Sequence, residues 1–306
     1  MYQIVKNDDS GLRLDRWLKE NLQDITYIEI QKLIRTGQVR VDGGRKKQNY
    51  RVNPGEKVRF PPKFTKMNID IIKNMPKNIA FSLEEIKIYE DDSLIVINKP
   101  YGLSTQGGTK VKYHIDGLLT IENENDKNNY RLVHRLDKYT SGALIVAKKR
   151  ESASFYTQKF LSKQIKKTYL ALTKGAPDIK TGLISFPLEK SNQKKMSKNQ
   201  SQFQDAVTKY EVIETTEDRI SLIKLEPITG RKHQIRKHLS MLKAPIIGDT
   251  KYGNDDTLDR ADKRFYLHSY KIEFPRYSDG KNILIKAEIP QYFEEAISTL
   301  GIQINE

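Results

Sequence analysis

The chain has 306 residues, no cysteine and a formal charge of +15, with 54 Lys and Arg against 39 Asp and Glu. That length favours two domains, the missing cysteine excludes disulfide frameworks, thiol nucleophiles and cysteine zinc sites, and the charge points to a polyanionic partner. No run approaches the roughly 18 apolar residues of a transmembrane helix, and the N-terminus MYQIVKNDDS lacks the apolar core of a signal peptide. A soluble cytoplasmic protein is expected.

Residues 1–62 read as a separate unit. Leu14, Trp17, Leu18 and Leu22 recur at helical spacing, and Thr26-Tyr27-Ile28-Glu29 has the Thr-x-x-Glu form of a capping box. A second helix carrying Ile30, Leu33 and Ile34 should begin there and stop at Gly37. The run QVRVDGGRK then alternates and turns at Asp42-Gly43-Gly44, as a hairpin does. A short run, EKVRF, precedes Pro61-Pro62. Arg13, Arg16, Lys19, Lys32, Arg35, Arg40, Arg45, Lys46 and Lys47 have no apolar task in this unit. Charge runs are commonly solvated surface, but this excess over nearby acids favours a phosphate-binding face. With its GLRLDRWL opening and IRTGQVRVDG turn, the segment resembles the alpha-L RNA-binding domain. That resemblance implies RNA-binding roles for Arg13, Arg16, Arg35 and Arg40.

Residues 63–80 lose periodicity and read as a linker with one short strand, NIDII. The larger unit, 81–306, opens with two apolar runs around Asp91-Asp92-Ser93. Strands are predicted at GALIVAKK, KTYLALTKG, AVTKYEVIE, ISLIKLEP and ILIKAEIP. Helical spacing appears over 151–162, around 231–242, and over 291–300, between Pro290 and Gly301. Strands dominate without strict alternation with helices, so a mixed α+β domain is expected. Two polar segments, 122–130 and the basic 189–204, read as loops, and the second has the cationic excess that attracts RNA.

Familiar enzyme motifs fail. TQGGTKVK lacks the phosphate-loop pattern, His233 and His238 are five apart where metal binding on one helix face needs four, and no Gly-x-Ser-x-Gly elbow occurs. What remains is LVHRLDKYTSG, with Asp137, and the basic run EPITGRKHQIRKHLSMLKAPIIGD. In the latter Thr229 is expected to cap a helix from Gly230, with Ile235, Leu239 and Leu242 as its buried stripe and Arg231, His233, Arg236 and His238 on its other faces. A solvated cationic helix would read the same way. An arginine that reaches a partly buried carboxylate keeps it ionised, and an ionised, oriented aspartate is a competent nucleophile.

LVHRLDKYTSGALIVAKK is similar to the His-Arg-Leu-Asp-x-x-Thr-Ser-Gly signature of RluA-type pseudouridine synthases. YEDDSLIVINKPYGLSTQGG, KKTYLALTKG, PITGRKHQIRKHLSMLKAPIIGDTKYG and RFYLHSYKIEFP resemble the family's further blocks, in order, over residues 83–292. The layout is most similar to the subgroup that modifies large-subunit ribosomal RNA. The resemblance implies a largely antiparallel mixed sheet of pseudouridine synthase type, with the alpha-L unit as accessory. It also implies an isomerase that detaches uracil at nitrogen 1 and rejoins it through carbon 5.

Carried over by position, Asp137 is the catalytic aspartate. Three routes stay open to it: attack on the 1′ carbon, abstraction of the 2′ proton, or addition to carbon 6 of uracil. Arg135 fills the gap left by the flipped nucleotide, beside His134. Thr140, Ser141 and Gly142 form the turn that presents the carboxylate, Gly142 allowing close backbone approach. Tyr169 packs on the base and relays a proton, Arg236 is the aspartate's basic partner, and Leu267 is an apolar wall. Arg231 and His233 join the RNA-binding set. Tyr139 departs from the family, where a smaller polar residue is common. No metal, nucleotide or other cofactor is implied, and a monomer acting on RNA is expected. Rival readings are a synthase for transfer RNA and a non-catalytic ribosome assembly factor on the same fold.

Overall fold

The computed structural model describes residues 1–22, 25–62, 82–107, 111, 113–125, 129–189, 202–253 and 264–304. The expected strand NIDII, the linker 63–80 and most of the basic loop 189–204 lie outside the described residues.

The N-terminal part folds around its own apolar core. Helix α1 (Leu14–Asn21) and helix α2 (Tyr27–Arg35) pack together, and Thr26 closes the second with the expected capping box, its hydroxyl accepting from Glu29 N while Glu29 reaches back to Thr26 N. Trp17, Leu18, Ile30, Val52 and Val58 are buried in this core. Asp42 and Gly43 both take positive φ, as the tight turn demands. The turn is closed by a single bridge, Val41 to Gly44. Strand β2 (Arg40–Val41) therefore finds its ladder partner not in the residues just after the turn but in β3 (Lys57–Arg59), which also pairs with β1 (Tyr2–Ile4).

The rest of the described chain is built on a ten-stranded sheet, with a separate two-stranded sheet beside it. A short helix α3 (Leu83–Ile86) leads into β4 (Lys87–Glu90) and β5 (Leu94–Lys99), and α4 (Ile115–Asn125) precedes β6 (Arg131–Leu132), β7 (Ser141–Ala147) and α5 (Arg150–Leu161). There follow β8 (Lys166–Lys174), β9 (Thr181–Ser185), β10 (Leu188–Glu189), β11 (Phe203–Gln204), β12 (Val207–Thr215) and β13 (Ile220–Pro227). Helix α6 (Gln234–Met241), β14 (Leu267–Pro275), β15 (Asn282–Lys286) and α7 (Gln291–Thr299) complete the order. The sheet runs β4-β5-β7-β14-β8-β13-β12-β9, with β6 on β7 and β15 on β14. Among the described residues every pairing in it is antiparallel except β7 with β14, as the mixed, largely antiparallel reading requires. Residues 122–125, read as loop, close helix α4 instead.

Both faces of the central strands are covered, which is why LIVI and ALIVA are continuous apolar runs rather than alternating ones. Ile95, Ile97, Leu144, Val146, Tyr169 and Leu267 enter one core, while Leu94, Val96, Ala143 and Ile145 enter the opposite one. The period of two thus sends Tyr169 to the same side as Leu136, Ile235 and Leu239. That side carries the cavity described next.

Candidate active site

Asp137 sits in the loop between β6 and β7, and the loop's backbone is fastened on both sides of it. The Thr105 hydroxyl donates to Leu136 O (2.7 Å) and accepts from Leu136 N (3.1 Å). Thr140 N donates to Asp137 O (3.1 Å), and Lys99 Nζ donates to Lys138 O (3.2 Å). Lys99 is fully buried and gives two further bonds, to Pro100 O and Leu103 O, both 2.8 Å. Burial pulls its ammonium down to about 7, against the pull of Asp137, yet three donors meet three carbonyl acceptors. This matching favours the charged form at neutral pH.

Ser141 and Gly142 belong to strand β7 rather than to the expected presenting turn; only Thr140 closes that turn. The reason is the parallel pairing with β14, which lays Ser141 on His268 and Gly142 on Ser269. Gly142 has φ +108, and a Cβ there would stand 2.3 Å from Ser269 O. The close approach expected of this glycine is therefore to a neighbouring strand. Beneath it Ser141 Oγ lies 2.9 Å from His268 Nδ1, and burial holds this histidine down at about 4.

The loop, α5, β8, β14 and the segment before α6 enclose a cavity of about 740 Å³. Asp137, Tyr169, Arg236, Arg135, His134, Thr140, Leu267, Arg231 and His233, gathered from four separate sequence blocks, all line it. The Asp137 side chain is 28% exposed, with His233 Nε2 at 3.7 Å and Arg236 Nη1 at 4.0 Å. Tyr169 is buried beside its register partner Ser269 of β14; burial pushes its hydroxyl up to about 12, so it stays protonated at neutral pH.

Arg236 stands 4.0 Å from Asp137, and its closer ion pair is with Asp249. Its guanidinium donates through Nε and Nη2 to Asp249 at 2.8 and 2.7 Å, and lies 5.0 and 5.2 Å from the ring centres of Tyr252 and Phe265. Asp249, 1% exposed, also accepts from Lys251 N and Tyr252 N. Burial alone would raise this carboxyl, but the Arg236 bonds hold it below the usual carboxylate range. Arg236 is thus a fixed cation that Asp137 shares.

The helix start is also corrected. Thr229 caps nothing: its hydroxyl donates to Gln234 Oε1 (2.7 Å) and accepts from Val207 N (2.8 Å). Gln234 Oε1 accepts from Arg231 N as well, so residues 230–233 form a turn, and the helix begins only at Gln234. His233 sits at the junction with φ +54, a conformation that costs a non-glycine residue about 1 kcal/mol. The turn sends its ring to the cavity, where Nδ1 meets the Tyr252 hydroxyl at 2.9 Å. Burial lowers the ring's pKa, against the pull of Asp137. His238, by contrast, is buried and bound to Thr208.

His134 is committed to structure. Its Nε2 accepts from Ile145 N at 2.8 Å, its ring lies 4.4 Å from that of Phe160, and burial pulls it down to about 3. It lines the cavity as a neutral ring. Arg135 is exposed at the rim, Nη1 3.5 Å from Gln106 Oε1, and Arg231 donates to Asp205 O. In the N-terminal unit Arg13 and Arg35 line a second groove with Arg45, Lys46 and Lys47. Arg16 is exposed outside that lining, and Arg40 spends its guanidinium on Gly37 O and Gly43 O of its own turn. Lys99, Thr105, Asp249 and Ser269 were not singled out in the sequence. Each holds at least one group well removed along the chain, Lys138 O for Lys99, Leu136 for Thr105, Arg236 for Asp249 and Ala143 O for Ser269, and none carries a local pattern.

The chain matches the RNA pseudouridylate synthase model over residues 93–241 and the S4 domain model over residues 12–58. It is 35% identical over 303 residues to Ribosomal large subunit pseudouridine synthase C of Rickettsia bellii, covering 95% of this chain and 98% of that protein. To the protein of the same name from Vibrio vulnificus it is 32% identical over 306 residues, covering 97% and 96%. Among solved structures, Human RNA Pseudouridylate Synthase Domain Containing 4 aligns with a TM-score of 0.63 at 28% identity, covering 73% of this chain and 96% of that one. The class is that of RNA-modifying isomerases. The chain belongs to the RNA pseudouridylate synthase family and carries an S4 domain ahead of its catalytic part.

Proposed function

We propose that this enzyme isomerises uridines of large-subunit ribosomal RNA, with Asp137 as its catalytic group, as a monomer in the cytoplasm. The observation that carries the site reading is the convergence of Asp137, Tyr169 and Arg236 on one cavity from three distant segments. Near end-to-end similarity to proteins named for the large ribosomal subunit supports the substrate.

In this reading a uridine leaves its stack and enters the cavity, at a cost of a few kcal/mol. Arg135, exposed at the rim, takes its place in the RNA. Leu267 and the Tyr169 ring flank the base, while Arg236, clamped by Asp249, keeps a cation beside the carboxylate without closing on it. The 4.0 Å separation leaves Asp137 free to meet the nucleotide. In this reading Tyr169, protonated at neutral pH, relays the proton that leaves carbon 5 once the new bond is made, releasing its own proton as it accepts that one. Attack at the 1′ carbon, removal of the 2′ proton and addition at carbon 6 all start from this arrangement. The N-terminal unit, ending near residue 62, supplies phosphate contacts through Arg13, Arg35 and their cationic neighbours.

Mapping pseudouridines in RNA from cells with and without the gene tests the substrate. Sites lost from large-subunit ribosomal RNA are expected; losses confined to transfer RNA would replace that substrate, and no loss in any RNA would count against the function.

A further inference from the structure

We propose that Arg131 and Arg150 clamp the S4 domain at a fixed offset from the catalytic loop, and that this offset restricts which uridines of a folded RNA are accepted. The inference rests on the reading above, in which both units hold the same RNA.

Arg131 opens β6, the short strand that pairs with β7 and runs directly into the Asp137 loop. Its guanidinium turns away from the cavity, donating through Nη2 to Asp9 (2.9 Å) and through Nη1 to Glu20 (2.5 Å). Asp9 is 2% exposed and also accepts from the indole of Trp17 at 3.1 Å, and Trp17 is fully buried at the centre of the N-terminal core. The grip on Asp9 therefore reaches the interior of the S4 domain, not a loose surface chain.

Arg150 opens α5, the helix that follows β7. It donates to the backbone carbonyls of Ser10 (2.6 Å) and Asp8 (3.2 Å), on either side of Asp9. The antiparallel pairing of Arg131 with Ala147 brings the start of β6 beside the end of β7, so the two arginines, entering and leaving the β6–β7 unit, converge on one turn. Charge is sorted to match: acids of this basic protein meet the catalytic part, while Arg13, Arg35, Arg45, Lys46 and Lys47 line a separate groove. Neither Arg131 nor Arg150 lines the catalytic cavity. They act as positioning residues. Two sites on one body gain from simultaneous engagement only when the RNA spans the distance between them. A clamped S4 domain makes that distance a selection rule, whereas a tethered one would accept many.

The absence of cysteine allows a direct measurement on the full chain. Spin labels on Gln38→Cys and Ser298→Cys, both exposed positions, report the distance between the two parts. One narrow distribution is expected, broadening in the Arg131→Ala, Arg150→Ala double variant and partly recovering with Arg131→Lys. In parallel, the double variant should keep turnover on a stem-loop excised around the modified uridine within about twofold. On the whole ribosomal transcript its preference for that uridine should fall about tenfold, with new pseudouridines appearing elsewhere. A broad distribution in the parent, a narrow one in the double variant, or unchanged selectivity despite broadening would each overturn the clamp. Failure of the parent to form pseudouridine in any RNA would overturn the functional reading instead, and the distance measurement would still decide whether the clamp exists.

Discussion

Arg236 holds Asp249 by a two-point ion pair at 2.7 and 2.8 Å and stands 4.0 Å from Asp137. One carboxylate fixes the guanidinium so that another can use its field. This division of labour is an example of a functional cation oriented by a partner behind it.

Asp249→Asn is therefore expected to lower single-turnover activity at least about tenfold, because the fork loses its charge-assisted grip while Asp137 is untouched. Arg236→Leu should lose activity and also stability, about 3 kcal/mol or more, since it strands a buried carboxylate. Arg236→Lys should fall between, restoring charge without the two-point fork. Single-turnover rates and urea melts on the three proteins check this. A fully active Asp249→Asn enzyme would show that the fork does not position Arg236 for catalysis.

Asp137→Asn keeps the side chain's shape and removes its charge and nucleophilicity. Isomerisation should vanish while RNA affinity stays within a few fold. Tritium release from uridine labelled at carbon 5 reads the first, and filter binding the second. Appreciable turnover by the variant would sink the assignment.

Tyr169→Phe keeps the ring that packs in the core and deletes only the hydroxyl. If that hydroxyl relays a proton, the single-turnover rate should drop about 10²–10⁴-fold with binding retained. A rate near that of the parent would leave the tyrosine a packing role alone.

Gly142→Ala meets two independent obstacles, a backbone at φ +108 and a Cβ 2.3 Å from Ser269 O. A loss of at least about 2 kcal/mol is expected from thermal or urea unfolding. Activity should fall with it, since the β7–β14 contact lies five residues from Asp137. A variant as stable as the parent would mean that the two strands can part at no cost.

Acid should destabilise the protein through His134 and His268, held by burial at about 3 and about 4 against an ordinary 6.5. Below 6.5 the unfolded chain takes up protons that the folded one refuses, so stability is present above that pH and falls as pH drops towards the folded values. Each histidine contributes a slope of about 1.4 kcal/mol per pH unit in that window. His268→Gln should remove one proton's worth of the slope between pH 6 and 4.5. An unchanged slope in urea titrations would show that His268 is protonated in the folded state.

What is local or periodic is legible along the chain: the capped helix at Thr26, the buried strands at LIVI and ALIVA, the mixed α+β class, and the motif around Asp137. Caps, turns and two-residue alternation are written within a few neighbouring residues, and a signature block is read in one line. Tertiary structure decided what depends on meetings across the chain. The pairing of β2 with β3, the strand identity of Ser141 and Gly142, and the late start of the helix at Gln234 each follow from a distant partner. Arg40 reads as a free cation until its turn claims it, and the second carboxylate on Arg236, Asp249, becomes visible only in the fold. A side chain's charge is visible in the sequence, but the group on which that charge is spent is settled by packing.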